Sequence, residues 1–242
     1  MKKYCRKIRE IALSVIFPKK CVFCSAMLSP GAEICVCANC MNTLPFCLAY
    51  DRCRKCGKPV EEGEKECNHC QNDKIKYYTK ISAAYIYKDS VRKSILKFKD
   101  ERYSAYGRTF AEHMRIVAEN DNKNMEFDVI ISVAPRKERM KKSGYDQAEC
   151  LGIELSKLMN LPFERNVLRQ VERRNKQSSL SADERRENAK GNYRVRKEKA
   201  IKDKNILLVD DVCTTGSTLD ECARVLKKAG AKKVCCVVAA TV

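Results

Sequence analysis

The stretch Ile206-Leu-Leu-Val-Asp210-Asp211-Val-Cys-Thr214-Thr215-Gly216-Ser217-Thr218 decides the fold. Ile206 to Val209 is an apolar run short enough for a buried strand, and two acids end it. A loop of small residues follows. From Ser217 to Ala229 the apolar spacing is helical, and Gly230 stops it. Strand, loop and helix in this order belong to an open parallel sheet, where ligands bind at the carboxyl ends of the strands. Thr214, Thr215, Gly216, Ser217 and Thr218 can turn backbone N–H groups and hydroxyls towards one phosphate. The helix N-terminus adds the positive end of its dipole, and Gly216 lets the backbone come close. Asp210 and Asp211 can accept hydrogen bonds from the vicinal hydroxyls of a ribose and can hold Mg²⁺ through water. A phosphate loop beside a diacid points to a ribose 5-phosphate. No Gly-Lys-Ser/Thr and no G-x-G-x-x-G is present, which excludes a Walker loop and a dinucleotide fingerprint.

Outward from this stretch, strands and helices alternate. Ile81 to Tyr87, Phe127 to Val133 and Lys233 to Ala239 read as strands. Val91, Ile95 and Phe98 mark a helix, Tyr103 to Glu119 a second, and Gln147 to Met159 a third. The Asn-rich stretch at 119–126 reads as a surface loop. The fold class is α/β: a parallel sheet flanked by helices, over residues 80–242. Between 162 and 200 charges dominate and the pattern weakens. A segment this long inside such a domain reads as a lid or binding loop, over about 169–200.

The N-terminal third is different. Of the 16 cysteines, 11 fall between Cys5 and Cys70. They include four C-x-x-C pairs: Cys21/Cys24, Cys37/Cys40, Cys53/Cys56 and Cys67/Cys70. Two such knuckles bring four thiolates to one tetrahedral metal. Gaps of 12 and 10 residues favour sequential pairing, hence two zinc ribbons over 19–72, and a polar linker, Asn72 to Lys80, leads out of them. Four thiolates leave no open coordination position, so both Zn²⁺ ions would be structural. Cys35 competes with Cys37 for the first site, Cys47 is a spare thiol, and His69 reads as lying outside the ligand set. Redox chemistry is the rival reading of the pairs, and four spaced pairs outside any strand–helix unit argue against it. Cys213 reads as a small packed residue rather than a reactive thiol.

Lys and Arg exceed Asp and Glu by 18, which favours polyanionic partners: nucleic acid, phosphorylated small molecules or an anionic membrane surface. No run of about 18 apolar residues exists, so no transmembrane helix is expected. Residues 5–17 read as a short amphipathic helix within an N-terminal segment 1–18, ended by Pro18 and packed on the core rather than lying on a membrane. Arg9 and Glu10 interrupt its apolar stretch, which argues against a secretory signal. Abundant thiols without an export signal point to the cytoplasm, with the inner membrane face as a second location.

The loop at 206–218 resembles the signature of type I phosphoribosyltransferases: an apolar strand, two acids, then Thr-Gly-x-Thr. The chain from about residue 12 onwards resembles the ComF family of competence-linked proteins, which join a zinc-ribbon region to such a domain. Three further segments carry the likeness: Lys97-Phe98-Lys99; Pro135-Arg136 through Arg139 to Gly144-Tyr145-Asp146-Gln147-Ala148; and Leu168-Arg169, Gln177 to Leu180, Glu184-Arg185, Asn188 and Gly191 to Tyr193. Two positions depart from the family pattern. Ser143 stands where an Arg is usual, removing a cation, and Asp146 where an Asn is usual, adding a negative charge.

The resemblance implies a protein that binds phosphoribosyl pyrophosphate (PRPP) with Mg²⁺ and displaces pyrophosphate at ribose C1. The acceptor, a base or an amine, is not specified by the sequence. Asp210 and Asp211 would hold the ribose, and residues 214–218 the 5-phosphate. Arg136, Arg139 and Lys142 would neutralise pyrophosphate. Arg169, Gln177, Arg185 and Asn188 would sit in the lid and exclude water. The process implied is competence-linked DNA uptake. A second reading is a non-catalytic module that keeps the pocket as a sensor and binds single-stranded nucleic acid. Phe23, Phe46, Tyr50, Tyr77 and Tyr78 would be its stacking candidates. A third is an adaptor that docks a DNA-translocating helicase or membrane machinery through the ribbons.

Overall fold

The computed structural model describes residues 18–32, 34–72, 76–100, 104–135, 140, 144–171 and 190–242. The helix expected over 5–17, Arg136, Arg139, Lys142, Gln177, Arg185 and Asn188 lie outside these residues. After the cysteine-rich region come β1 (Ile81–Ile86), α1 (Asp89–Asp100), α2 (Ser104–Asp121), β2 (Val129–Ser132), α3 (Gln147–Met159), β3 (Leu168–Gln170), β4 (Tyr193–Val195), β5 (Asn205–Cys213), α4 (Ser217–Lys228) and β6 (Lys233–Thr241).

The apolar runs become one parallel sheet in the order β1-β6-β5-β2. Its register puts Ile206 beside both Val234 and Val129. Alternate residues feed two cores, as expected of a parallel sheet covered on both faces. Leu207, Val209, Cys235 and Val237 join Phe98, Phe110 and Met114 of α1 and α2 and Leu151 and Leu155 of α3. Ile206, Leu208, Val234 and Cys236 join Leu219, Cys222 and Leu226 of α4.

β5 runs further than its apolar stretch. Val212 and Cys213 keep their places beside Ala240 and Thr241, so Asp210 and Asp211 lie within the strand rather than at its end. Main-chain pairing with β6 carries the strand through the acids. β6 likewise extends past Ala239 to Thr241, while β2 is shorter than Phe127 to Val133. The segment expected as a lid over about 169–200 has structure at both ends. β3 and β4 pair antiparallel, with Leu168 beside Val195 and Gln170 beside Tyr193. Arg169 therefore belongs to a strand, opposite Arg194.

The ribbons close the sheet's β1 edge. Phe46 forms an antiparallel bridge with Tyr85, Ile86 N–H donates to the Pro45 carbonyl at 2.9 Å, and Ile81 N–H donates to the Lys55 carbonyl at 2.8 Å. An edge that would otherwise offer unpaired backbone is thus covered. Side chains reinforce this. Phe23 meets Tyr85 and Phe110 edge-on, with ring centroids 5.6 and 5.9 Å apart. Arg52 and Lys80 both reach the buried Asp121 carboxylate, at 2.9 and 3.3 Å. Residues 76–80, expected as part of a linker, are docked: Tyr78 is buried, and Thr79 N–H donates to the Val234 carbonyl at 2.8 Å.

Candidate functional site

The eight expected ligand cysteines gather into two sets, Cys21/Cys24/Cys37/Cys40 and Cys53/Cys56/Cys67/Cys70. Within each, the sulfurs all lie within 4.8 Å of one another. Four Zn–S bonds of about 2.3 Å would put sulfurs about 3.8 Å apart, so the donors fit a structural zinc. Tight turns shape the knuckles, with Ser25 N–H on the Cys21 carbonyl at 2.9 Å and Gly57 N–H on that of Cys53 at 3.0 Å. Cys35 is not in the first set. Its N–H donates to Thr109 Oγ1 at 3.2 Å and its side chain lies in the core. Cys47 is fully buried, and burial pushes its thiol up to about 12. His69 lies outside the second set.

The loop after β5 has the geometry that its residues promise. Gly216 sits at φ +77° and ψ −1° and caps α4 without a side chain. Only glycine adopts this left-handed turn freely. A turn of this kind leading into a helix leaves the first N–H groups without helical partners, aimed at one point. Thr215 Oγ1 lies 2.8 Å from the Ser217 hydroxyl and accepts from Ser217 N–H at 3.4 Å. Thr214 is exposed, and Thr215, Ser217 and Thr218 are half-buried. Asp210 is half-buried and Asp211 buried. Asp210 Oδ1 accepts from Asp211 N–H at 2.8 Å, and Asp211 Oδ1 from Val212 N–H at 2.7 Å. Backbone donors of this kind hold a carboxylate in place. Cys213 is buried behind the loop, and burial pushes its thiol up to about 12, which leaves it protonated at neutral pH.

Two acids that the sequence did not single out tie the start of α4 to other segments. Asp220 Oδ1 accepts from Tyr77 N–H at 2.7 Å. Glu221 accepts from Gly191 N–H at 2.7 Å and pairs with Arg224 through two bonds of 2.6 and 2.7 Å. Both are buried although they stand in the first turns of a helix, and acids there read equally well as dipole partners. The early part of α4 is thus tied to the segment leaving the second ribbon and to the residues before β4.

At the carboxyl end of β2, which neighbours β5, lies a cavity of about 370 Å³. Ser132, Pro135, Asp146, Glu149, Arg169 and Arg196 are among its lining residues. Arg169 thus faces a cavity beside the diacid strand. Of the aromatics considered for stacking on bases, Phe23, Phe46 and Tyr78 pack in the interior, while Tyr50 and Tyr77 are exposed. Among the described residues no helix is long and apolar enough to cross a membrane.

Comparison with known proteins agrees with this division. Residues 120–242 match the phosphoribosyl transferase domain, and residues 12–71 the double zinc ribbon domain. Competence protein F of Haemophilus influenzae is 26% identical over 222 residues, which cover 90% of this chain and 95% of that protein. DNA utilization protein YhgH of Escherichia coli O157:H7 is 28% identical over 186 residues, covering 75% and 80%. Among solved structures, the allosteric regulatory enzyme of purine biosynthesis matches with a TM-score of 0.38 at 17% identity, covering 60% of this chain and 30% of that one. A purine phosphoribosyltransferase from Pyrococcus horikoshii Ot3 matches at 0.31 and 18%, covering 55% and 86%.

Proposed function

Because this chain belongs to the ComF family, a phosphoribosyl transferase domain joined to a double zinc ribbon, we propose that it binds PRPP at residues 210–218 and transfers the phosphoribosyl group to a base or an amine. The observation that carries the reading is the left-handed Gly216 turn at the N-terminus of α4, five residues after the second of two carboxylates on the central strand β5. The turn receives the 5-phosphate. Asp210 and Asp211 receive the ribose hydroxyls. Arg136, Arg139 and Lys142, which follow β2 in sequence, supply positive charge for the pyrophosphate. Mg²⁺ arriving with PRPP would neutralise part of the leaving group's charge.

In the step itself the bond from C1 to the pyrophosphate oxygen breaks, and pyrophosphate leaves with the electron pair. The acceptor nitrogen closes on C1 and gives its proton to solvent. The transition state has oxocarbenium character, so the two carboxylates act as fixed negative charges beside developing positive charge. No nucleophilic side chain is needed, in keeping with the protonated Cys213. The names of the relatives, Competence protein F and DNA utilization protein YhgH, support placing this activity in DNA uptake or use.

The test is release of pyrophosphate from PRPP and Mg²⁺ across a panel of bases and amines. Turnover with at least one acceptor, lost in Asp210→Asn, Asp211→Asn, is expected. PRPP binding without turnover across the panel would leave a sensor rather than a transferase. The excess of 18 positive charges favours a second role in holding single-stranded nucleic acid. Its affinity would fall with salt at a slope of about −0.7 per phosphate contacted. Salt-independent binding would remove that role.

A further inference from the structure

The second ribbon is built against the anion loop. Its ligands Cys53, Cys56 and Cys70 share one buried cluster with Tyr78, Ile81, Cys213 and Leu219. At Gly57, φ is +70°, and a Cβ built there would stand 2.4 Å from the Ile81 carbonyl oxygen. The knuckle therefore lies directly on the first residue of β1. On the far side of that contact, a Cβ built on Gly216 would stand 3.4 Å from Ile81 Cδ1, 3.6 Å from the Tyr78 hydroxyl and 3.8 Å from Cys213 Sγ. Tyr78 thus shares the cluster of the zinc cysteines and reaches the turn that would hold the phosphate. Its neighbours fix it in turn, because Tyr77 N–H is held by Asp220 of α4 and Thr79 N–H by β6. Lys58, next to Gly57, lies near enough for its charge to act on Cys213. Among the described residues the first ribbon makes none of these contacts. Its Cys21, Cys35, Cys40 and Phe23 pack with Tyr85 and Phe110 in the other core.

We infer that the second ribbon forms one wall of the anion site, with Tyr78 as a positioning residue that holds Gly216 in its turn while that ribbon carries metal. Loading of the second site would therefore set ligand affinity, and loading of the first would not. The inference rests on residues 214–218 being the phosphate loop. The Tyr78 hydroxyl is the atom that reaches Gly216, so Phe, which lacks it, weakens the hold and Leu, which also lacks the ring, weakens it further. Linkage makes the effect reciprocal: a ligand tightened by the loaded ribbon must tighten that ribbon's metal by the same factor.

Two measurements on the full zinc-loaded chain test this. In calorimetric titrations of PRPP with Mg²⁺, Tyr78→Leu should bind about tenfold more weakly than wild type and Tyr78→Phe should fall between the two, and equal affinity in all three overturns the positioning role. In the second, zinc release from wild type to a chromophoric chelator is timed with and without saturating PRPP, Mg²⁺ being present throughout. One release phase should slow several-fold, and it should be the phase missing from Cys53→Ser, Cys56→Ser. This readout needs no Tyr78 variant to fold and no turnover. Binding by wild type with both phases unchanged, or with both slowed alike as global stabilisation would do, overturns the coupling alone. No binding by wild type overturns the reading of the loop, and the coupling with it.

Discussion

The first ribbon leans on the aromatic core through Phe23 and Cys35, whereas the second shares a buried cluster with Tyr78 and Ile81, which reach Gly216 of the loop at 214–218. The two share C-x-x-C knuckles and nearly equal gaps. What separates them is the surface each one covers. The first replaces missing core volume beside α1 and α2: Val22 accepts a bond from Ser94 at 2.7 Å, and Cys35 donates to Thr109. The second covers β1 at Ile81, whose side chain reaches Gly216. A repeated metal motif is therefore a staple whose role is set by its neighbours, not by its ligands.

The largest expected effects come from removing ligands. Cys21→Ser, Cys24→Ser and Cys53→Ser, Cys56→Ser should each reduce bound zinc from two ions per chain to one, by metal analysis. Structural zinc binding contributes about 10–16 kcal/mol in small ribbons, so each loss should unfold its own ribbon. The comparison sharpens if only the second pair also abolishes PRPP binding, and breaks if both pairs do so equally.

Next in size is Phe23→Ala, which should cost about 3–5 kcal/mol in chemical denaturation. Its ring fills the space between Tyr85 and Phe110. PRPP affinity should hold under conditions where that variant stays folded. A loss of affinity in proportion to stability would show that the first ribbon also governs the loop.

Smaller again is Gly57→Ala. The left-handed φ and the approach of Ile81 oxygen predict a cost of about 1–3 kcal/mol, read from the thermal midpoint of the zinc-loaded chain. The matching change at Gly31, which has φ +83° but open space around it, should cost less. Equal costs would mean that conformation alone, without the contact to β1, matters at Gly57.

Much of this was legible in the sequence. The Asp-Asp and Thr-Thr-Gly pattern located the loop, the apolar spacing gave α3 as Gln147 to Met159, and cysteine spacing alone gave the correct sequential pairing. The misses have physical causes. Asp210 and Asp211 end the apolar run, so the strand looked finished, but backbone pairing with β6 does not depend on apolar side chains. β3 and β4 are three residues each, with arginine in the middle of both, and carry no readable alternation. The ribbon's hold on β1 runs through the carbonyls of Pro45 and Lys55, which no side-chain pattern reports. Tyr78 looked like a linker residue because Asn72 to Lys80 is polar on average, yet the strand that begins at Ile81 draws it inside. An aromatic just before a buried strand was the one available signal.

The central claim is that residues 210–218 are a PRPP site. Its most direct test is calorimetric titration of PRPP with Mg²⁺ into the zinc-loaded chain, beside an Asp210→Asn, Asp211→Asn variant of equal zinc content. Micromolar binding, roughly −8 kcal/mol, that the variant loses is the predicted result. No heat of binding from folded, zinc-loaded wild type, or equal affinity in the variant, would contradict it.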